Sequence, residues 1–250
     1  MEKISIIIPV SNEDVFRDIF LKSPGLNGDI EVLKQRDFVN SSEAFNNGVD
    51  KAKNDILVFC HQDVMLPKKW FNLFIESLHT IQKSDKNPGV IGCVGITTSG
   101  VITGHIYRHN RELVTSNIFP KKVRILDEML ISFRKSSNLR FDKELPGFLN
   151  YATDICLQAE ELGYNNYVIN DPCFHNSKNH EELPKQFYIA RKYLVKKWSN
   201  KLPVITLSGI LCKNKLELLK ILKKKIQKIA GIKNKPWWER LPVINPENHL

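Results

Sequence analysis

The chain opens with KISIIIPV (3–10), a continuous β-branched run that stops at Pro9. That is the pattern of a strand buried on both faces. DIEVL (29–33) predicts a second strand. In NSSEAFNNGVDKAKND (40–55), Phe45, Val49 and Ala52 recur on one helical face, Ser41 or Ser42 can cap the start, and Asn54-Asp55 breaks the helix. ILVFC (56–60) is a third strand, followed by a helix over about 68–82 with Pro67 at its mouth. Strand alternating with helix predicts an α/β fold, a mostly parallel central sheet flanked by helices.

The middle is punctuated differently. GVIGCVG (89–95), VITGHIY (101–107), VRIL (123–126) and MLISFRK (129–135) are short strand candidates with no long helix between them. Helical spacing returns in YATDICLQAEELGY (151–164), where Ile155, Ala159 and Leu162 share a face and Gly163 stops the helix. YVIND (167–171) predicts a strand, and Pro184 opens a helix running to about 198. In open α/β sheets, ligands sit beyond the carboxyl ends of the strands. Two polar clusters, Pro9-Val10-Ser11-Asn12-Glu13 and His61-Gln62-Asp63, therefore fall on one rim.

Composition narrows the classes. The five cysteines (60, 93, 156, 173 and 212) show no Cys-x-x-Cys pair, which suits free thiols in a reducing compartment. No run reaches the roughly 18 apolar residues of a membrane span, and the charged start is unlike a signal peptide. A cytoplasmic protein is expected. The net charge is +10, but nine lysines against Glu217 between Cys212 and Lys235 carry +8 of it. That segregation argues against a general nucleic-acid binder. In KLELLKILKKKIQKIAGIKNKPWWERL (215–241), Leu218, Ile221, Leu222, Ile226 and Ile229 lie at helical spacing. A basic amphipathic helix of this kind suits an anionic membrane surface. The alternative is packing on the domain or on a second subunit. The expected division is a domain over 1–205 and a basic extension over 206–250.

IIIPVSNE, AFNNG, HQDVMLP, DICLQAEELGY and CFHNS, in that order, resemble the motifs of family 2-type glycosyltransferases with the GT-A fold. The likeness covers residues 3–200 and is greatest to a bacterial branch with His-Gln-Asp in place of Asp-x-Asp. It implies a Rossmann-like GT-A sheet and transfer of a sugar from a nucleotide-sugar donor to a glycan or lipid-linked acceptor, with inversion and a divalent cation. Asp63 falls on the second carboxylate of Asp-x-Asp, and His175 on a histidine that completes the metal site. His61 falls on the first carboxylate, where its imidazole suits manganese better than magnesium or else contacts the donor. The resemblance gives Asp154 the role of base that accepts the acceptor hydroxyl proton. The plain alternative is a charge that favours the helix terminus.

Asp127 and Glu128 fall on an acidic acceptor-side motif or form a polar turn. Pro9, Val10, Ser11, Glu13, Asn46 and Gln62 are expected on the donor side; Asn46 could equally be a buried amide tied to the backbone. Two departures stand out. Tyr151, Ala152 and Thr153 replace acids common near the base, and Lys34-Gln35-Arg36 replaces an acid that reads the nucleotide base, leaving uridine only a prior. A non-catalytic glycosyltransferase-like scaffold is the rival these departures motivate. A nucleotidyltransferase would need a Gly-rich phosphate loop after the first strand, which is missing.

Overall fold

The computed structural model describes residues 2–108, 111–115, 118–176, 183–214 and 219. β1 (Ile4–Pro9) leads into a short helix, α1 (Glu13–Val15), capped by the Asn12 side chain and widened into a π-type turn over Phe16–Phe20. β2 (Ile30–Gln35), α2 (Ser41–Lys51), β3 (Ile56–Cys60), β4 (Val64–Met65) and α3 (Trp70–Ser84) follow. The middle holds β5 (Pro88–Gly92), β6 (Val94–Ile96), β7 (Ile102–Arg108), β8 (Arg111–Val114), β9 (Lys121–Val123), β10 (Ile125–Leu126) and β11 (Leu130–Arg134). Then come α4 (Tyr151–Glu161), β12 (Asn165–Val168), β13 (Phe174–His175), α5 (Lys185–Lys197) and the hairpin β14 (Val204–Thr206) with β15 (Gly209–Leu211).

The main sheet has the order β2-β1-β3-β11-β5-β12-β9. β1 is parallel to β2 and β3, β12 is parallel to β5, and β11 is antiparallel to both β3 and β5. Five of its seven strands thus point the same way, so the mostly parallel sheet expected from the sequence is present. Strand periodicity divides the core in two. Ile7, Leu57 and Phe59 point to one face, with α2 and α4; Ile4, Ile6, Ile8, Val58 and Cys60 point to the other, with α3. Burying each such apolar side chain contributes about 1.5–3 kcal/mol, and the one polar side chain of β1, Ser5, is buried with its hydroxyl donating to Glu31 Oε2 at 2.7 Å.

α2 lies tight on β1 because Gly48 faces Ile7, where a Cβ would collide with the isoleucine side chain. Asn46, two residues earlier, donates to the Phe141 carbonyl at 2.7 Å and accepts from the Phe141 N–H at 3.0 Å.

Three local outcomes differ from the sequence pattern. GVIGCVG breaks at Cys93 into β5 of the main sheet and β6 of a second sheet, ordered β10-β6-β7-β13-β4 with β8 on β7. VRIL divides in the same way between β9 and β10. Apolar runs do not reveal where a strand changes partners. Finally, the β14–β15 hairpin spans the expected boundary at 205/206, and Val204 and Leu211 are both in the core, so the packed body extends to Leu211. The lysine-rich segment 215–241 lies outside the described residues apart from Leu219. No helix among the described residues is long and apolar enough to cross a membrane.

Candidate active site

Parallel pairing of β1 with β3, in the register Ile7↔Phe59, brings their carboxyl ends together. Gln62 then joins the two loops. Its Oε1 accepts from the Ser11 and Asn12 N–H groups, both at 3.0 Å, and its Nε2 donates to Ser11 Oγ at 3.0 Å. Beside this clamp opens a cavity of about 860 Å³, within the range of small-molecule sites. Pro9, Val10, Ser11 and Glu13 line it from the first strand; His61, Gln62 and Asp63 line it from the third.

His175 reaches the same place from a distant segment. β13 pairs antiparallel with β4, setting His175 opposite Val64, next to Asp63. His175 Nε2 is 3.5 Å from Asp63 Oδ1, and the His61 and His175 rings are 5.5 Å apart. Ligand atoms of His61, Asp63 and His175 all fall within 4.8 Å of one another. Two imidazoles and one carboxylate at this spacing form a group that could hold a divalent cation. Electrostatics prepare it: burial, then the neighbouring His175, push the His61 imidazole down to about 4, so it is neutral at pH 7. Burial works to raise the Asp63 carboxyl, but its hydrogen bond with His175 and the electrostatic influence of the two neighbouring imidazoles outweigh this and hold it below the ordinary range. Both are the protonation states a metal ligand needs.

His61 is fixed from two sides. Its main-chain N–H donates to the Met129 carbonyl at 3.0 Å, and its ring Nε2 lies 3.0 Å from Tyr151 Oη. Tyr151, the first residue of α4 and a cavity-lining side chain, also donates its hydroxyl to the Glu128 carbonyl.

Among the cavity-lining residues, Glu13 forms ion pairs with Lys34, at 2.9 Å, and with Arg36. Arg36, Asp37 and Phe38 line the cavity. β2 runs to Gln35, two residues beyond its apolar pattern, and its last residue pairs with Pro9. Asp37, two residues past the end of β2 and on the cavity wall, holds a left-handed backbone (φ 62°).

Four expected site residues, Asp154, Asn46, Asp127 and Glu128, are not among those lining the cavity. Asp154 is 1% exposed and is held by Trp198 Nε1 at 2.7 Å, Lys197 Nζ at 2.8 Å and Gln158 Nε2 at 2.9 Å. With these donors in place it is not a cavity-lining residue; it ties α4 to α5. Asn46 is also absent from the cavity wall, because both ends of its amide are used by the Phe141 backbone. Asp127 accepts from the Met129 N–H at 3.0 Å and shapes the turn before β11. Glu128 accepts from the Asn150 N–H at 2.6 Å, directly before α4. Burial, then Asp127, push its carboxyl up to about 8 against that hydrogen bond.

A model of the "Glycosyltransferase like family" matches residues 5–198. The chain belongs to that family. This glycosyltransferase-like chain is 24% identical over 162 residues to a protein of Fuscovulum blasticum described as "ATP synthase subunits region ORF 6", covering 61% of this chain and 63% of that relative. The match spans less than two thirds of the relative's length. Among solved structures, residues 1–349 of S. aureus TarS in complex with UDP-GlcNAc align with 12% identity and a TM-score of 0.48, over 79% of this chain and 67% of that one. A197 from STIV aligns with 11% identity and a TM-score of 0.43, over 74% and 98%.

Within this glycosyltransferase-like chain, the cavity-wall side chains that sequence reasoning misses include Asp37, Phe38, Phe148 and Tyr151. Asp37 is hidden because the apolar pattern of β2 ends before the strand does. Tyr151 stands in the sequence only as the replacement of an acid, although an aromatic hydroxyl opening a helix is a signal in its own right.

Proposed function

We propose that the protein transfers a sugar from a nucleotide-sugar donor to a hydroxyl of a glycan or lipid-linked acceptor in bacterial surface polysaccharide or glycolipid synthesis. The observation that carries this reading is the His61–Asp63–His175 group on the rim of a cavity large enough for a nucleotide. These three residues would hold a divalent cation, manganese in preference to magnesium because two of the donors are imidazoles. When bound, the cation supplies charge stabilisation for the departing diphosphate.

The chain's own residues do the rest. Gln62 keeps the Ser11–Asn12 loop in one shape against the donor, with Pro9 and Val10 as the apolar floor. Asp37 is the group for reading the nucleotide base, with uracil as the first candidate. Glu13, balanced by Lys34 and Arg36, borders the ribose region. On the acceptor side, Glu128 takes the place of Asp154 as the carboxyl offered to an acceptor hydroxyl, because Asp154 is committed to Lys197 and Trp198. With its carboxyl pushed up to about 8, Glu128 would accept that proton only in its ionised form, so transfer would rise with pH up to about 8. The lysine-rich segment beyond residue 214 would place the chain at the cytoplasmic face of an anionic membrane.

The commitment of Asp154 also favours a second reading, a module that binds nucleotide sugar without turning it over. Calorimetric titration of a panel of nucleoside diphosphates, with and without manganese, on wild type and Asp63→Ala tests the donor site. Manganese-dependent binding lost in Asp63→Ala supports it, and metal-independent binding in folded protein overturns the metal assignment. Donor turnover with supplied acceptors then separates enzyme from module.

A further inference from the structure

Given the metal-site reading above, on which this inference rests, the protons around His61 can be assigned one by one. The Glu128 main-chain carbonyl can only accept a hydrogen bond, so the single phenol proton of Tyr151 is directed there. The phenol oxygen then has only lone pairs to present to His61 Nε2, 3.0 Å away. For that contact to be a hydrogen bond, Nε2 must carry the imidazole proton. In a neutral ring this leaves Nδ1 as the unprotonated nitrogen. Packing holds Tyr151 in this position, since it is 1% exposed and its ring meets Phe45 and Phe141 at centroid distances of 4.9 and 5.9 Å. The His61 main chain is pinned independently by the Met129 carbonyl.

We infer that Tyr151 is a positioning residue that fixes His61 in the Nε2–H tautomer and so makes Nδ1 the atom offered to a cation shared with Asp63 and His175. Outer hydrogen-bond partners of ligating histidines commonly govern metal affinity by about 10–100-fold. In this chain the partner is a tyrosine relayed to a backbone carbonyl rather than a carboxylate. The position that opens α4 therefore acts through His61 and not on the substrate.

Two independent readouts test this. Long-range ¹H–¹⁵N spectra of histidine-labelled, metal-free protein, with His61 assigned by its loss in His61→Gln, report the tautomer directly. Wild type is expected to show one tautomer with the proton on Nε2, and Tyr151→Phe, which keeps the ring packing, a mixture. Manganese titration followed by the paramagnetic resonance of the free ion should show about 10-fold or greater weakening in Tyr151→Phe. A wild-type His61 protonated on Nδ1 overturns the inference, as does a Tyr151→Phe protein with unchanged tautomer or unchanged manganese affinity. Asp63→Ala separates the two levels. If it binds manganese as wild type does, or wild type binds none, the metal reading fails, while the metal-free spectra still decide whether Tyr151 sets the tautomer.

Discussion

Asp63 and Asp154 look alike in the sequence: each is an aspartate at the boundary of an apolar element, aligned with a family motif. Their surroundings part them. Asp63 keeps about a fifth of its side-chain surface and meets one histidine at 3.5 Å, a contact a cation could replace. Asp154 has almost none and accepts from an ammonium, an indole and an amide at 2.7–2.9 Å. A carboxylate with spare coordination can do chemistry, whereas one with every lone pair taken holds helices together. The difference is written 43 and 44 residues downstream, in Lys197 and Trp198, rather than at either aspartate.

The contrast can be broken outright. Asp63→Ala should lower sugar transfer by about 10³-fold, the several kcal/mol expected of lost cation stabilisation, with the melting temperature within about 2 °C of wild type. Asp154→Ala should do the reverse. Stranding Lys197 and the Trp198 N–H costs about 3 kcal/mol, or roughly 6–12 °C in melting temperature, while manganese-dependent nucleotide affinity at low temperature stays within about twofold. If instead Asp154→Ala melts like wild type and loses turnover, the base belongs back at Asp154.

A smaller effect is expected at the loop joint. Gln62→Ala removes three hydrogen bonds and should weaken nucleoside diphosphate binding about 10-fold by calorimetry, equivalent to about 1.4 kcal/mol. Unchanged affinity would mean that the loop keeps its shape unaided.

The last is a pH slope. The Glu128 carboxyl has a folded value of about 8, above its unfolded value, so the folded state holds the extra proton. Its contribution to stability is full below about pH 4.5 and is lost as pH rises to 8. His61 has the opposite sign: its folded value of about 4 lies below the unfolded one, so stability grows as pH rises from 4 to 6.5. Glu128→Gln should remove the first slope and leave the second, as read from denaturant midpoints between about pH 4 and 8.

Much of the scaffold was legible because β1, β3, α2 and α3 carry strong, local apolar patterns, and the abrupt stop of ILVFC at His61 announced a rim. His175 was legible only through its motif, since the β13–β4 pairing that delivers it involves two residues on each strand. What stayed hidden depends on partners far along the chain. Asn46 finds Phe141 95 residues away, and a seven-residue apolar run conceals the transfer of the chain from one sheet to the other at Cys93.

The Gln62 joint has a thermodynamic corollary. Because one side chain fixes the loop that carries Ser11 while its neighbours His61 and Asp63 could hold a cation, ordering either loop would prepay part of the entropy of ordering the other. Nucleotide and cation would then raise each other's affinity by the same factor, as reciprocity demands. Cutting the joint would leave two sites that titrate independently.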